Sequence, residues 1–365
     1  PIILYNNRLF YEIENLEISE DLKIGLEKNL AKIVIVYLTE GFFGETPRCF
    51  EWIENFMKKY GVVKDQLIVI TANFLAKDLY VNDNFKIINF SFTSNKIPFL
   101  PLNKLNKFFL SEYENAFIKK IYNNKNNLKK NHFLCFNGYP KIHRLLMFGE
   151  LQTNLNLKNK SITSLRGDEK NPKNHFYNEL VNYFTNYKNL DEIKKYLDFY
   201  QKYDSNISYS YDESFWKQRS DKSAGLLNYA AHSDSFLNIV TETLHQKNIV
   251  FITEKTFKPI FSCQPFIIYG NCYTLKKLKD IGFKTFDTWW DESYDNEPDL
   301  FKRLNKISEV LETISSWDFE YCRKVLIEME NVLVDNYNRL LDSKDLLELY
   351  QVLKCENKTI NKNII

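Results

Sequence analysis

Between two apolar runs, Ile249–Ile252 and Pro265–Gly270, the chain places Thr253, Glu254 and Lys255 together, with Lys258 one turn further on. A threonine that can cap a helix, followed by an acid and two bases over the first two turns, offers two binding chemistries. Free backbone N–H groups at a helix start, with lysines beside them, suit a pyrophosphate, and the Glu254 carboxylate can accept hydrogen bonds from a pair of ribose hydroxyls. Taken together these groups describe a nucleoside diphosphate site. A plainer reading is also open, in which Glu254 favours the helix dipole and the lysines are solvated. If both apolar runs are strands, the turn lies at the carboxyl edge of a sheet, where open α/β sheets bind ligands.

The segment FLNIVTETLHQKNIVFITEKTFKPIFSCQPFIIYG (236–270) resembles the donor-binding half of α1,3-fucosyltransferase-like glycosyltransferases. Their pattern is an apolar run ending in Glu-Asn-Ser, a spacer, Ile-Thr-Glu-Lys, a helix, and a strand ending in Gly; viral and bacterial members often read Thr-Glu-Lys-Thr followed by Lys-Pro. The resemblance implies that Glu254 holds the donor ribose and Lys255 its phosphates, with Glu242 matching the acid of Glu-Asn-Ser. Upstream, HFLCFNG is followed by YPKIHRLLMFGELQ, a strand ending in Asn and then a helix bearing an Arg. In the family's pattern that Arg contacts the donor pyrophosphate, and Asn137 and Arg144 resemble the pair. Arg144 reads equally as a surface arginine near a helix start, and His143 as its supporting partner or as a satisfied surface histidine. Three departures bear on the sugar more than on the nucleotide: Thr243 and Leu244 replace Asn-Ser, Pro259 falls inside the expected helix, and Gln264 replaces small residues before the strand.

Glycosyl transfer also needs a base if the anomeric centre inverts. The family places its base in the first domain, and Glu40 and Glu45, in YLTEGFFGETP, stand at the matching sheet edge. Glu45 can equally cap the following helix, and Glu40 can simply end a strand. Asp291, Glu292 and Asp295 invite a metal reading but lack calcium-loop spacing, and a lysine-flanked pyrophosphate site can neutralise the donor without metal. The expectation is therefore a metal-independent, inverting transfer from a nucleotide-sugar co-substrate to a glycan or other hydroxyl acceptor, with no resident cofactor. A noncatalytic nucleotide-sugar or glycan-binding module and a phage DNA-base glycosyltransferase are the alternatives. No H-x-x-x-H, G-x-S-x-G or glycine-rich P-loop supports a metal, hydrolase or kinase reading.

The elements that must hold these residues follow from periodicity. PIILY, AKIVIVYLTEG, QLIVITAN and FKIINFSF read as strands of a first unit, with Phe50, Ile53, Phe56 and Met57 on one face of a helix after Thr46-Pro47. LNKFFLSEYENAFIKKIY reads as a helix, and NNKNNLKKN as the linker to a second unit. There HFLCFNG, SITSLRG, IVFI, PFIIYG and FKTF read as strands, NHFYNELVNYFTNYKNLDEIKKYLDFYQKY as one or two helices, and Gly282 as the residue closing a helix. A loop after them carries Arg219 and Lys222, which reach phosphate if it closes over the donor and are otherwise solvated. From Lys302 the chain is helical.

The expected architecture is α/β: two Rossmann-like domains of the GT-B type facing across a cleft, with C-terminal helices. Residues 1–125 form the acceptor side, 126–325 the nucleotide-sugar side, and 326–365 helices crossing back onto the first domain. A length of 365 residues accommodates this. Hydrophobic residues at 44 % with aromatics at 16 % mark a folded chain, and 49 basic against 47 acidic side chains give no general drive toward nucleic acid or anionic membrane. No apolar run reaches the roughly 20 residues that cross a bilayer, and six cysteines without a C-x-x-C pair fit a reducing compartment. Animal members of the family are anchored in the Golgi; the expectation here is a cytoplasmic enzyme, in the host cytoplasm if virus-encoded.

Overall fold

The computed structural model describes residues 2–5, 16–37, 43, 46–90, 129–165, 175–185, 193–203 and 229–341. Within them the chain is mixed α/β with two four-stranded, wholly parallel sheets, a Rossmann-like arrangement. Glu40, Glu45, Arg219, Lys222, the aromatic stretch 105–122 and the final LLELYQVL lie outside the described residues.

In the first sheet β1 (Ile2–Tyr5), β2 (Ile33–Tyr37), β3 (Leu67–Thr71) and β4 (Lys86–Asn89) lie side by side in sequence order. Their crossovers α1 (Glu20–Glu27), α2 (Arg48–Tyr60) and α3 (Ala76–Leu79) share one core with Ile33, Ile35, Leu67 and Val69. A sequential order with right-handed crossovers requires this one-sidedness. Helix α2 buries Phe50, Ile53, Phe56 and Met57, as their spacing predicts, and each such side chain contributes about 1.5–3 kcal/mol on leaving water. Gly61 ends it in the left-handed region at φ 66°. The opposite face of the sheet carries buried Val34, Ile68 and Ile70, so its strands are apolar on both sides, as parallel strands usually are.

The second sheet starts in its middle. From β5 (Asn131–Asn137) the chain runs through α4 (Ile142–Thr153) and α5 (Leu155–Lys158) outward to β6 (Ser161–Leu165). It then passes α6 (His175–Phe184), α7 (Lys194–Lys202) and α8 (Tyr229–Asp234), returns across β5 to β7 (Ser235–Thr241), and continues through α9 (Glu254–Phe261) to β8 (Phe266–Tyr269). The order β6-β5-β7-β8 therefore reverses direction between β5 and β7. Helices α10 (Thr274–Asp280), α11 (Leu300–Ser315), α12 (Phe319–Glu328) and α13 (Glu330–Leu341) close the described chain and join the same core. None of the described helices is long and apolar enough to cross a membrane.

Two expected strands are not strands. Ile249–Ile252 is a buried run of the connection from β7 to α9 outside either sheet. Its burial is shared between the units: Val250 and Ile252 join the core of the second sheet, while Phe74 N–H donates to Val250 O at 2.9 Å and Ile249 and Phe251 cluster with Ala72 and Leu244. Residues 283–286 form irregular chain after α10, which Gly282 ends at φ 90° as expected. A short apolar run surrounded by other elements thus has the signature of a strand without making a ladder. Pro259 sits inside α9, which is only eight residues long, consistent with the missing N–H limiting it.

Candidate functional site

The strand order of the second sheet reverses between β5 and β7, and the carboxyl ends of strands at such a reversal are the place where open sheets bind ligands. The first turn of α4 is tied to Glu242, the residue that follows β7. Arg144, on the first turn of α4, donates through Nη2 to Glu242 O at 3.1 Å and through Nη1 to Tyr139 O at 2.7 Å. His143 donates through Nε2 to the same Glu242 carbonyl at 2.6 Å, which fixes its tautomer because a carbonyl can only accept.

Arg144 is 4 % exposed, and among the described residues its direct partners are carbonyls, with no carboxylate in ion-pair range and Nε unpartnered. Burial pulls its pKa down, against the pull of the Glu242 and Glu254 carboxylates that stabilise its charge. Both acids are thus within electrostatic reach of the guanidinium. A buried cation whose charge is met only at a distance is unusual in a scaffold and common where an anion docks.

The Glu242 side chain is fully buried, and its carboxylate accepts from Thr253 N–H (2.9 Å), Thr253 Oγ1 (2.6 Å), Thr256 Oγ1 (2.6 Å) and Thr243 N–H (3.0 Å). It clamps the start of α9 against the end of β7. Thr253 caps α9 as its sequence position predicts, accepting Lys255 N–H at 3.3 Å. Gly270, at the end of β8, leaves room for this clamp: a Cβ there would stand 2.8 Å from Glu242 Cβ.

Lys255 donates to Glu254 Oε1 at 2.8 Å and to Thr243 Oγ1 at 3.0 Å, and remains partly exposed. Burial works to raise the Glu254 pKa, but the charge and hydrogen bond of Lys255, with Lys258 behind them, outweigh it and hold the carboxyl below its usual range. The carboxylate is therefore ionised at neutral pH and available as an acceptor. Lys258 lies a turn further along α9. Asn137 ends β5 with its side chain buried, its Oδ1 accepting from Thr241 Oγ1 at 2.6 Å across the β5–β7 pair. The structure thus brings Arg144, Glu242, Thr253, Glu254 and Lys255 to one sheet edge, with Asn137 and Lys258 adjoining.

Sequence reasoning missed Lys141, whose Nζ donates to Thr243 O at 2.9 Å. With Lys255 on the Thr243 hydroxyl, two lysines grip one residue from its two polar ends. The position of Lys141 three residues before Arg144 was a usable signal. Thr243 and Leu244, the departures from Asn-Ser, also acquire functions: the first takes the Lys255 ammonium, and the second is buried with Ala72, Ile249 and Phe251. Gln264 donates to Ser235 O at 2.9 Å and accepts from His232 Nδ1 at 2.8 Å, pinning α9's exit to β7. His143 is no surface histidine: it is fully buried beside His245, ring centroids 4.8 Å apart. Arg144 is likewise buried, which excludes the surface reading.

The acidic stretch is structural. Asp291 accepts from Ser293, Glu292 from Thr285 and Phe286 N–H, and Asp295 from the N–H groups of Leu275 and Lys276. Burial raises the pKa of both Glu292 and Asp295. Among the described residues no group of three or more His, Cys, Asp or Glu side chains could hold a metal ion. The described cysteines are free thiols; Cys135 is buried, whereas Cys263 is only partly so.

No protein-family model matches the chain, and no curated protein does. Among solved structures it is similar to the N-terminal domain of a Candida albicans trehalose-6-phosphate phosphatase, at 9 % identity and a TM-score of 0.44, over 97 % of this chain and 70 % of that one.

Proposed function

We propose that the protein is a glycosyltransferase that takes a sugar from a nucleotide-diphosphate donor, with the β5–β7 opening as the diphosphate and ribose site. The observation that carries this reading is the convergence of Arg144, Lys255 and Glu254 on that opening, two cations and an ionised carboxylate held by a buried clamp.

Departure of a nucleoside diphosphate concentrates negative charge on its oxygens, and fixed cations facing that charge lower the barrier most. In this reading Arg144 supplies a charge that cannot relax into water, because burial and two carbonyl bonds fix it. Lys255 and Lys141 flank it, while Glu254 exchanges its contact with Lys255 for the ribose hydroxyls. The Glu242 carboxylate, bonded to Thr243, Thr253 and Thr256, holds Thr253 and Lys255 in place. The two units then face each other across a donor cleft, residues 1–125 on the acceptor side, 126–325 on the donor side and 326–365 as closing helices. Glu40 or Glu45 acts as base toward a hydroxyl acceptor, and the diphosphate is neutralised by side chains without a metal.

The test is a thermal-shift screen of the purified chain against GDP-, UDP-, CMP- and dTDP-linked sugars, followed by assay of donor hydrolysis and transfer. A ligand that binds only the folded chain raises its melting temperature. GDP or UDP forms are expected to do so, with turnover abolished in Lys255→Ala and Glu254→Ala. Binding that persists without turnover on any acceptor identifies a noncatalytic module instead, and no shift with any donor refutes the nucleotide reading.

A further inference from the structure

We infer that Asn73 is a positioning residue that couples occupancy of the diphosphate site to the exit loops of the first sheet; the inference rests on the reading proposed above. Asn73 is fully buried two residues beyond β3. Its Nδ2 donates to Phe43 O at 2.8 Å and to Asn248 O at 3.1 Å, and its Oδ1 accepts from Leu75 N–H and Val250 N–H, both at 3.0 Å. Two donors and two acceptor positions exhaust what a carboxamide can offer.

These four partners belong to three segments. Phe43 lies in the loop after β2, between Glu40 and Glu45 in the sequence; Leu75 leads into α3; Asn248 and Val250 belong to the connection that becomes Thr253 three residues later. The next residue repeats the link, Phe74 N–H donating to Val250 O at 2.9 Å. Asn248 holds a left-handed φ of 63° where its carbonyl meets Asn73, a conformation asparagine tolerates and most residues resist.

A shift of Thr253 or Lys255 on binding a diphosphate passes along the buried run Ile249–Ile252, whose Ile249 and Phe251 pack against Ala72 and Leu244. It arrives at an amide with no spare hydrogen-bonding capacity, so movement on one side breaks a bond unless the other side follows. Asp in this position keeps the acceptors and loses both donors; Ala loses all four bonds. The contact between loops is thus a coupling element between donor site and first sheet, which by linkage acts in both directions.

Hydrogen exchange on the full chain, with and without saturating GDP or UDP, tests this. In the wild-type protein the nucleotide that binds is expected to slow exchange at residues 253–257 and also, by at least about fivefold, at residues 46–50 and 72–76. In Asn73→Asp, with folding checked by its thermal transition, the slowing at 253–257 remains, the remote slowing disappears, and affinity falls about tenfold. Remote slowing that persists in folded Asn73→Asp overturns the inference. So does a wild-type protein that slows only at 253–257, a result that needs no variant to fold. A wild-type protein that binds neither nucleotide instead overturns the underlying diphosphate reading, and this inference with it.

Discussion

Two carboxylates at this sheet edge take different tasks. Glu242 is buried under four hydrogen bonds, whereas Glu254 keeps 18 % of its side chain exposed and pairs with Lys255. Removing the first leaves two backbone N–H groups and two hydroxyls without their acceptor, so Glu242→Ala is expected to lose about 3–5 kcal/mol in urea unfolding. Glu254→Gln keeps the shape and gives up a partly exposed ion pair, so its stability should change by less than about 1 kcal/mol while nucleotide affinity falls. The reverse pattern would exchange the two roles. Asp295 belongs to neither task, accepting the N–H groups at the start of α10. Sequence spacing identified Glu254 and Lys255 because a capping threonine before an acid-base pair carries its own chemistry. It could not separate Glu242's clamp from a ligand contact, since that depends on which way Thr253 and Thr256 turn. Lys141 and Asn73 were missed for the same reason: their partners, Thr243, Asn248 and Val250, are 102, 175 and 177 residues away in the chain.

The elements were legible where a pattern was long or buried on two faces. Strands β2, β3, β5 and β8 and helix α2 follow their apolar periodicity, and α10 ends at Gly282 as a left-handed residue should dictate. The run Ile249–Ile252 was misread because four buried apolar residues carry no information about whether a neighbouring strand or a neighbouring loop buries them. Strand order was also out of reach: periodicity reports faces, not neighbours, and only the reversal between β5 and β7 makes their carboxyl ends the place to look for a site. Helix α9 depends on close approach of β8 to Glu242 at Gly270. Gly270→Ala places a methyl group against Glu242 Cβ and near Leu244 O, and an overpacking cost of about 1–3 kcal/mol is expected in chemical denaturation. Because the displaced residue is the clamp, the same variant should bind nucleotide more weakly; a fully stable variant would mean that β7 and β8 have slack at this point.

Across the molecule, the two units are joined by polar contacts as well as by the small apolar cluster around Leu244. Lys277 on α10 bonds Asp78 on α3, and Asn73 ties β3's exit to the β7–α9 connection. Buried neutral histidines make this assembly sensitive to acid. Burial lowers the pKa of His232 to about 4, and burial with Lys141, Arg303 and Arg144 nearby lowers that of His245 to about 4. His143 is pushed well below its usual value by burial, His245 and Arg144. A depressed histidine pKa means that the unfolded chain binds more protons below about pH 6.5, so stability is full above that pH and lost as pH falls toward 4. Each of His232 and His245 should remove about 2 kcal/mol between pH 7 and pH 5. The raised carboxyls of Glu292 and Asp295 act in the opposite sense, favouring the fold as they protonate at lower pH. Melting temperature should therefore drop from pH 7 to pH 5, and a flat profile would show that these rings are hydrated.

The central claim is that Arg144, Lys255 and Glu254 together receive a nucleoside diphosphate, and calorimetric titration of GDP and UDP into the wild-type chain and Lys255→Ala tests it most directly. One of the two nucleotides is expected to bind, with affinity falling at least about tenfold in the variant, the loss expected for a charge-assisted phosphate contact. Equal affinities in the two proteins, or no heat from either nucleotide with the folded wild-type chain, would contradict it.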